Sequence, residues 1–185
     1  RWFIAVENLL IFTVLFVGIC LLIGIILSIL LDQKIRAEGF LRTVYLYPMA
    51  LSFIVTGTAW KWMLNPTMGI EKLVTDWGFT DFTFDWLVNR DMSIYTIVIA
   101  AVWQSSGFIM ALFLAGLRSV DDEIVKAAKI DGASLYSIYI TIMLPMMRPV
   151  FMSSIVILLH ISIKSYDLVI ALTAGGPGIS SDMPA

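Results

Sequence analysis

The chain alternates long runs without charge and short polar links. Residues 8–31 (NLLIFTVLFVGICLLIGIILSILL) hold no charged side chain in 24 positions. As a helix rising 1.5 Å per residue they would extend about 36 Å, enough to cross a hydrocarbon core of about 30 Å. Residues 43–64 predict a second, less apolar span, in which Pro48 and Gly57 predict a bend or local break. Residues 92–117 form a third span and 149–171 a fourth, interrupted by Lys164 and Asp167. The expected fold class is all-α: a polytopic transmembrane helix bundle in one domain over 1–185, with no repeat or soluble domain inserted.

Composition agrees with that reading. Apolar residues make up 59% of the chain and charged residues 14%, where a soluble domain has about 25% charged. So few charges could not cover a water-facing surface. A net charge of −2 gives no sign of a nucleic-acid partner. The single cysteine, Cys20, lies in an apolar run, so no intrachain disulfide is expected. The sequence opens on Arg1 without an initiator Met and reads as an internal part of a longer polypeptide.

Basic residues orient the spans. The link 32–42 carries Lys34, Arg36 and Arg42, and the link 118–148 carries Arg118, Lys126, Lys129 and Arg148. The link 66–91 carries only Lys72 and Arg90, against Glu71, Asp76, Asp81, Asp85 and Asp91. The first and third links are expected in the cytoplasm and the second outside, with both chain ends outside.

The third link is the least lipid-like stretch. Ser119 with Asp122 reads as a capping box, and Asp121, Asp122 and Glu123 suit the positive end of a helix dipole. Gly132 reads as a C-terminal cap able to take a left-handed conformation. Val120, Ile124, Ala127 and Ala128 fall near one face at helical spacing. A second helix over about 134–144 is expected to stop at Pro145. An amphipathic connector lying on the bilayer has the same pattern.

A family resemblance favours a docking helix over such a connector. Ala127-Ala128, three residues, Gly132, nine residues, then Ile142-x-Leu144-Pro145 resembles the EAA loop of bacterial and archaeal ABC-importer permeases. The match includes Ile130-Asp131-Gly132-Ala133-Ser134, and departs at Lys126, where the family usually has glutamate. GFLRTVYLYP (39–48), WKWMLNPTMGI (60–70), FLAGLRSV (113–120) and YDLVIALTAGGPG (166–178) also resemble carbohydrate-importer permeases, with Ala174 at the first glycine of the family's Gly-Gly-Gly-Pro. The resemblance is to the maltose and glycerol-phosphate permease group, first-permease-like. It implies four central helices of a six-helix core in a bacterial or archaeal inner membrane. It also implies a coupling helix that docks on a cytoplasmic ATPase through Lys126, Ala127, Ala128, Asp131, Gly132 and Ala133. The implied partners are a second permease subunit, two ATPase subunits and an extracytoplasmic solute-binding protein. ATP and Mg belong on the ATPase subunits. This chain is expected to bind no cofactor and to be no enzyme: it has no G-x-x-x-x-G-K-[ST], and GGPG at 175–178 lacks the lysine and preceding strand of a phosphate cradle.

Polar groups inside the spans are the remaining candidates. His160, Lys164 and Asp167, at i, i+4 and i+7, share a face in a continuous helix, with Ser153 one repeat earlier. Ionisable groups in a span usually face a cavity or one another, so this face is expected to point into the bundle. It reads either as the wall of a hydrophilic pathway or as a Lys164–Asp167 ion pair. Gln104, mid-span beside Trp103, Ser105 and Ser106, reads as a pathway residue. Tyr45, Ser52, Thr56 and Trp60 line one face of the second span, while Trp60 and Trp62 read as interfacial anchors. One histidine without a neighbouring histidine or thiol supplies no metal-ligand set. The leading function is a permease subunit of an ATP-driven sugar importer. A structural or regulatory membrane protein with a partner-binding helix, or a channel, would share many of these features.

Overall fold

The computed structural model describes residues 2–33, 35–65, 67–79, 82–178 and 180–184. Lys34 and Asp81, counted above for orientation, and Pro66, which opens the second link, lie outside the described residues. Those residues are all-helical, without a strand. Ten α-helical segments follow in chain order: α1 Trp2–Asp32, α2 Glu38–Leu46, α3 Phe53–Met63, α4 Ile70–Asp76, α5 Ser93–Arg118, α6 Asp122–Ile130, α7 Leu135–Ser137, α8 Leu144–Met146, α9 Arg148–Ile163 and α10 Tyr166–Leu172.

Two helices, α1 and α5, are each long and apolar enough to cross a membrane, and two bent pairs bring the total to four if each pair is one span. Helix α1 begins at Trp2 rather than near residue 8, because Trp2–Glu7 contain no helix breaker. It is apolar all round, so no hydrophobic periodicity marks its inner face. The buried stripe is instead Ala5, Asn8, Phe12, Phe16, Cys20, Gly24, Ser28 and Leu31, rich in small and weakly polar residues. Where lipid is as apolar as the core, close packing selects such residues.

Helix α5 is the central post and packs against α1 along its length. The two run in the same direction: Asn8 and Ser93 both bond the Ser180 segment at one end, and Asp32 and Arg118 meet at the other. Close approaches sit at glycines. A Cβ at Gly24 would come within 2.6 Å of Ile109, and one at Gly107 would overlap the Tyr45 carbonyl.

The second predicted span is broken harder than expected. Helix α2 continues through a 3-10 turn, Tyr47–Ala50, then Leu51 and Ser52 take extended conformations and α3 departs at 102°. Ser52 starts the new helix, its side chain accepting from the Val55 N–H at 3.3 Å. Gly57, the other expected break, lies inside α3. There a Cβ would stand 2.6 Å from that of Ala171, so glycine permits contact with α10. Leu51 and Trp60 meet the adjacent residues Gln104 and Trp103, so α3 crosses α5 rather than running along it. This places Trp60 beside the middle of α5, not at the interface expected for it.

The fourth predicted span comes in two pieces. Helix α9 ends at Ile163, and α10 resumes at Tyr166 after Lys164 and Ser165. Pro145 does not stop the helix before it. A π-helical turn, Ile138–Met143, leads straight into α8, with the Leu144 N–H bonding the Tyr139 carbonyl five residues back. The wider turn relieves the clash a proline ring makes with the carbonyl four residues earlier. The chain then bends by 67° into α9.

Candidate functional site

Two regions gather chemistry. One is a cavity of about 440 Å³ at the break in the second span, lined by Met49, Leu51, Ser52, Phe53, Ile54, Gln104, Ser105, Ile161 and Asp167. Gln104 is 5% exposed, and its Nε2 donates to the Leu51 carbonyl at 2.7 Å. A span broken inside a bilayer leaves backbone carbonyls without partners, each costly there, and Gln104 supplies one donor. Its Oε1 has no hydrogen-bond partner. Among the described residues the cavity offers the Asp167 carboxylate as an acceptor in an otherwise largely apolar wall, while Gln104 Oε1 is itself buried. Thr56 Oγ1 is likewise buried and unpartnered.

Of the four expected pathway residues, Gln104 and Asp167 meet in this cavity, while His160 and Lys164 do not. Both are exposed, and the buried stripe of α9 is Ser154, Leu158 and Ser162. The expectation that the His160–Lys164–Asp167 face turns into this chain's own bundle is thus corrected. The break at Lys164–Ser165 also removes the continuous helix on which their shared face depended. Among the described residues no ion pair joins Lys164 to Asp167.

The second region is the opposite end of the bundle, where the 118–148 segment folds. Helix α6 is capped by Asp121, whose carboxylate accepts from the Glu123 N–H at 2.9 Å. Ser119, the expected cap, instead donates to the Gly116 carbonyl at 2.7 Å, because the first helical residue is Asp122. The other end closes as expected. Gly132 has φ +80°, its N–H bonds Lys129 O at 3.1 Å, and the Ala133 N–H bonds Ala128 O at 3.0 Å. This is the Schellman arrangement. Val120 and Ala128 are buried, Val125 and Ala133 half-buried, and Lys126, Ala127, Asp131 and Gly132 exposed. A Cβ at Gly132 would meet nothing within 4 Å. Large apolar side chains also stand exposed here, with Ile130 86% and Tyr136 76% exposed.

Behind α6 lies a cluster that sequence reasoning missed. Arg118 reaches Glu38 Oε1 at 2.9 Å and Asp32 Oδ1 at 3.7 Å, and donates to the Leu31 carbonyl at 3.4 Å. Arg42 bonds Glu38 at 2.7 Å. The Tyr139 hydroxyl donates to Asp32 Oδ2 at 2.6 Å. Glu38 opens α2, ahead of the second predicted span, and both arginines converge on its Oε1. Only the Glu38/Arg42 pair, four residues apart, leaves a local signal. The Asp32 contacts join positions far apart in sequence.

Comparisons with known proteins agree on one group. The family described as "Binding-protein-dependent transport system inner membrane component" matches residues 20–184. A probable ABC transporter permease protein of Pyrococcus horikoshii is 41% identical over 178 residues, covering 96% of this chain and 61% of that protein. The xylose/arabinose import permease protein XacH of Haloferax volcanii is 41% identical over 169 residues, covering 91% of this chain and 53% of that protein. The chain thus spans somewhat over half the length of these relatives. A crystal structure of a bacterial ABC transporter involved in the import of the acidic polysaccharide alginate matches 98% of this chain and 64% of its own. Its TM-score is 0.78 at 19% identity, a likeness of fold.

Proposed function

This chain belongs to the family of binding-protein-dependent transport system inner membrane components, and from that premise we propose that it is the membrane-spanning subunit of an ATP-driven sugar importer. Its α6 docks on a separate cytoplasmic ATPase. The observation that carries this reading is the form of α6. A helix ended by Gly132 at φ +80° exposes Lys126, Ala127 and Asp131 and sits beside exposed Ile130 and Tyr136. Such an apolar patch on a polar segment suits a docked protein partner. The Asp32–Arg118 end is then cytoplasmic and the Asn8–Ser93 end external, in keeping with the basic residues of the links.

The cavity at Gln104 lies on the substrate pathway in this reading. The Asp167 carboxylate at the cavity suits a ligand rich in hydroxyl donors, and the apolar wall suits the faces of a sugar ring. His160 and Lys164, exposed on this chain, would be costly against hydrocarbon. A second permease subunit covering that face removes the cost. ATP and Mg are held by two ATPase subunits, and an extracytoplasmic binding protein delivers substrate at the external end. The relatives' names favour sugars, from xylose and arabinose to trehalose and maltose.

The test is ATP hydrolysis by the full-length complex in proteoliposomes, screened over mono- and oligosaccharides with the binding protein present. Stimulation by one sugar class is expected. An ATPase rate indifferent to every sugar would count against a sugar importer.

A further inference from the structure

Resting on the docking of α6 just proposed, we infer that Asp32 is the joint through which movement of the 118–148 segment passes into α1. The segment enters from α5 at Arg118 and leaves through the π-helical turn at Tyr139. Both flanks fasten to one carboxylate at the end of α1, Arg118 at 3.7 Å from Oδ1 and Tyr139 at 2.6 Å from Oδ2. Arg118 also holds the last turn of α1 through the Leu31 carbonyl and the first turn of α2 through Glu38. A cation at a helix C-terminus is favoured by the helix dipole.

The energetics single out the Asp32 carboxylate as the firm contact of this cluster. Arg118 and Glu38 side chains are 42% and 26% exposed, and pairs this wet contribute little to stability. The Tyr139–Asp32 bond is of another kind: Tyr139 is 7% and the Asp32 side chain 17% exposed, and a sheltered 2.6 Å O–H···O⁻ bond couples the π-helical turn to α1 firmly enough for the two to move as one. Tyr139 sits in the π-helical turn Ile138–Met143, a backbone form frequent at functional sites. Asp32 and Tyr139 are positioning residues: they act through α1 and α2, not on substrate.

The test uses the full-length permease in its complex with the ATPase, with spin labels at Leu30→Cys and at Glu123→Cys, an exposed position of α6 away from the apolar docking patch. Both side chains are exposed, and native Cys20 is fully buried. The label-to-label distance is measured without nucleotide and after trapping with Mg-ATP and vanadate. In the wild type one distance distribution is expected in both states, because segment and α1 move together. In Asp32→Ala, and separately in Tyr139→Phe, trapping should shift the distribution. An unshifted distance in both variants overturns the joint. Gly132→Asp serves as the control for docking itself. If that variant still co-purifies with the ATPase, the docking reading fails, whatever the labels report.

Discussion

The Tyr139 hydroxyl donates a 2.6 Å hydrogen bond to the Asp32 carboxylate, across 107 positions of sequence. Asp32 ends the first helix and Tyr139 sits in the π-helical turn before α8. Through this bond and Arg118, the base of the bundle and the segment carrying α6 form one polar assembly.

Gln104→Leu should destabilise the detergent-solubilised protein by about 1–3 kcal/mol, since the Leu51 carbonyl loses its donor in a buried site. His160→Ala, at an exposed position, should stay within about 0.5 kcal/mol of wild type. Thermal unfolding followed by size-exclusion chromatography reads both. In transport assays Gln104→Leu should change the apparent affinity for sugar, whereas His160→Ala, outside the cavity, should leave it near wild type. Unchanged affinity in Gln104→Leu would leave Gln104 only its bond to Leu51.

Gly107 and Gly18 make a contrasting pair. A Cβ at Gly107 would overlap the Tyr45 carbonyl, whereas one at Gly18 meets nothing within 4 Å. Gly107→Ala should cost about 1–3 kcal/mol or prevent assembly. Gly18→Ala should stabilise by about 0.5–1 kcal/mol, as replacing glycine inside a helix does. Comparable melting points for the two variants would contradict the α2–α5 contact.

Ala174 has φ +53°, a left-handed conformation that penalises any residue with a Cβ. Ala174→Gly should therefore raise stability by about 1 kcal/mol. A lowered melting temperature would show that this turn is held differently.

For topology, cysteines at exposed Trp77 and Lys129 should react from opposite sides of the membrane: Trp77→Cys with an impermeant maleimide outside intact cells, Lys129→Cys only after lysis. The reverse pattern would invert the bundle and remove α6 from the ATPase side.

The parts of this fold legible in sequence are those set by composition and local chemistry. Uncharged runs placed α1 and α5, and Gly132 marked the end of α6 because few other residues take its backbone angle. The broken spans were only half legible. Pro48 signalled a bend, but the 102° turn depends on Ser52 capping a new helix and on Gln104 bonding Leu51 from another span. His160, Lys164 and Asp167 were grouped by assuming an unbroken helix, and the break at Lys164–Ser165 dispersed them. Lipid hides inner faces as well: α1 shows its buried stripe through small residues, not through hydrophobic periodicity. Of the Asp32 cluster only the Glu38–Arg42 pair left a local signal, because the other contacts are long-range.

The most direct measurement is transport and ATPase co-purification by full-length Gly132→Asp. The φ of +80° makes any side chain at Gly132 strained, and a carboxylate would alter the exposed end of α6. The variant should reach the membrane in normal amount, yet lose transport and either release the ATPase or leave its hydrolysis uncoupled. Wild-type transport together with wild-type co-purification would contradict the assignment of α6 as the docking helix.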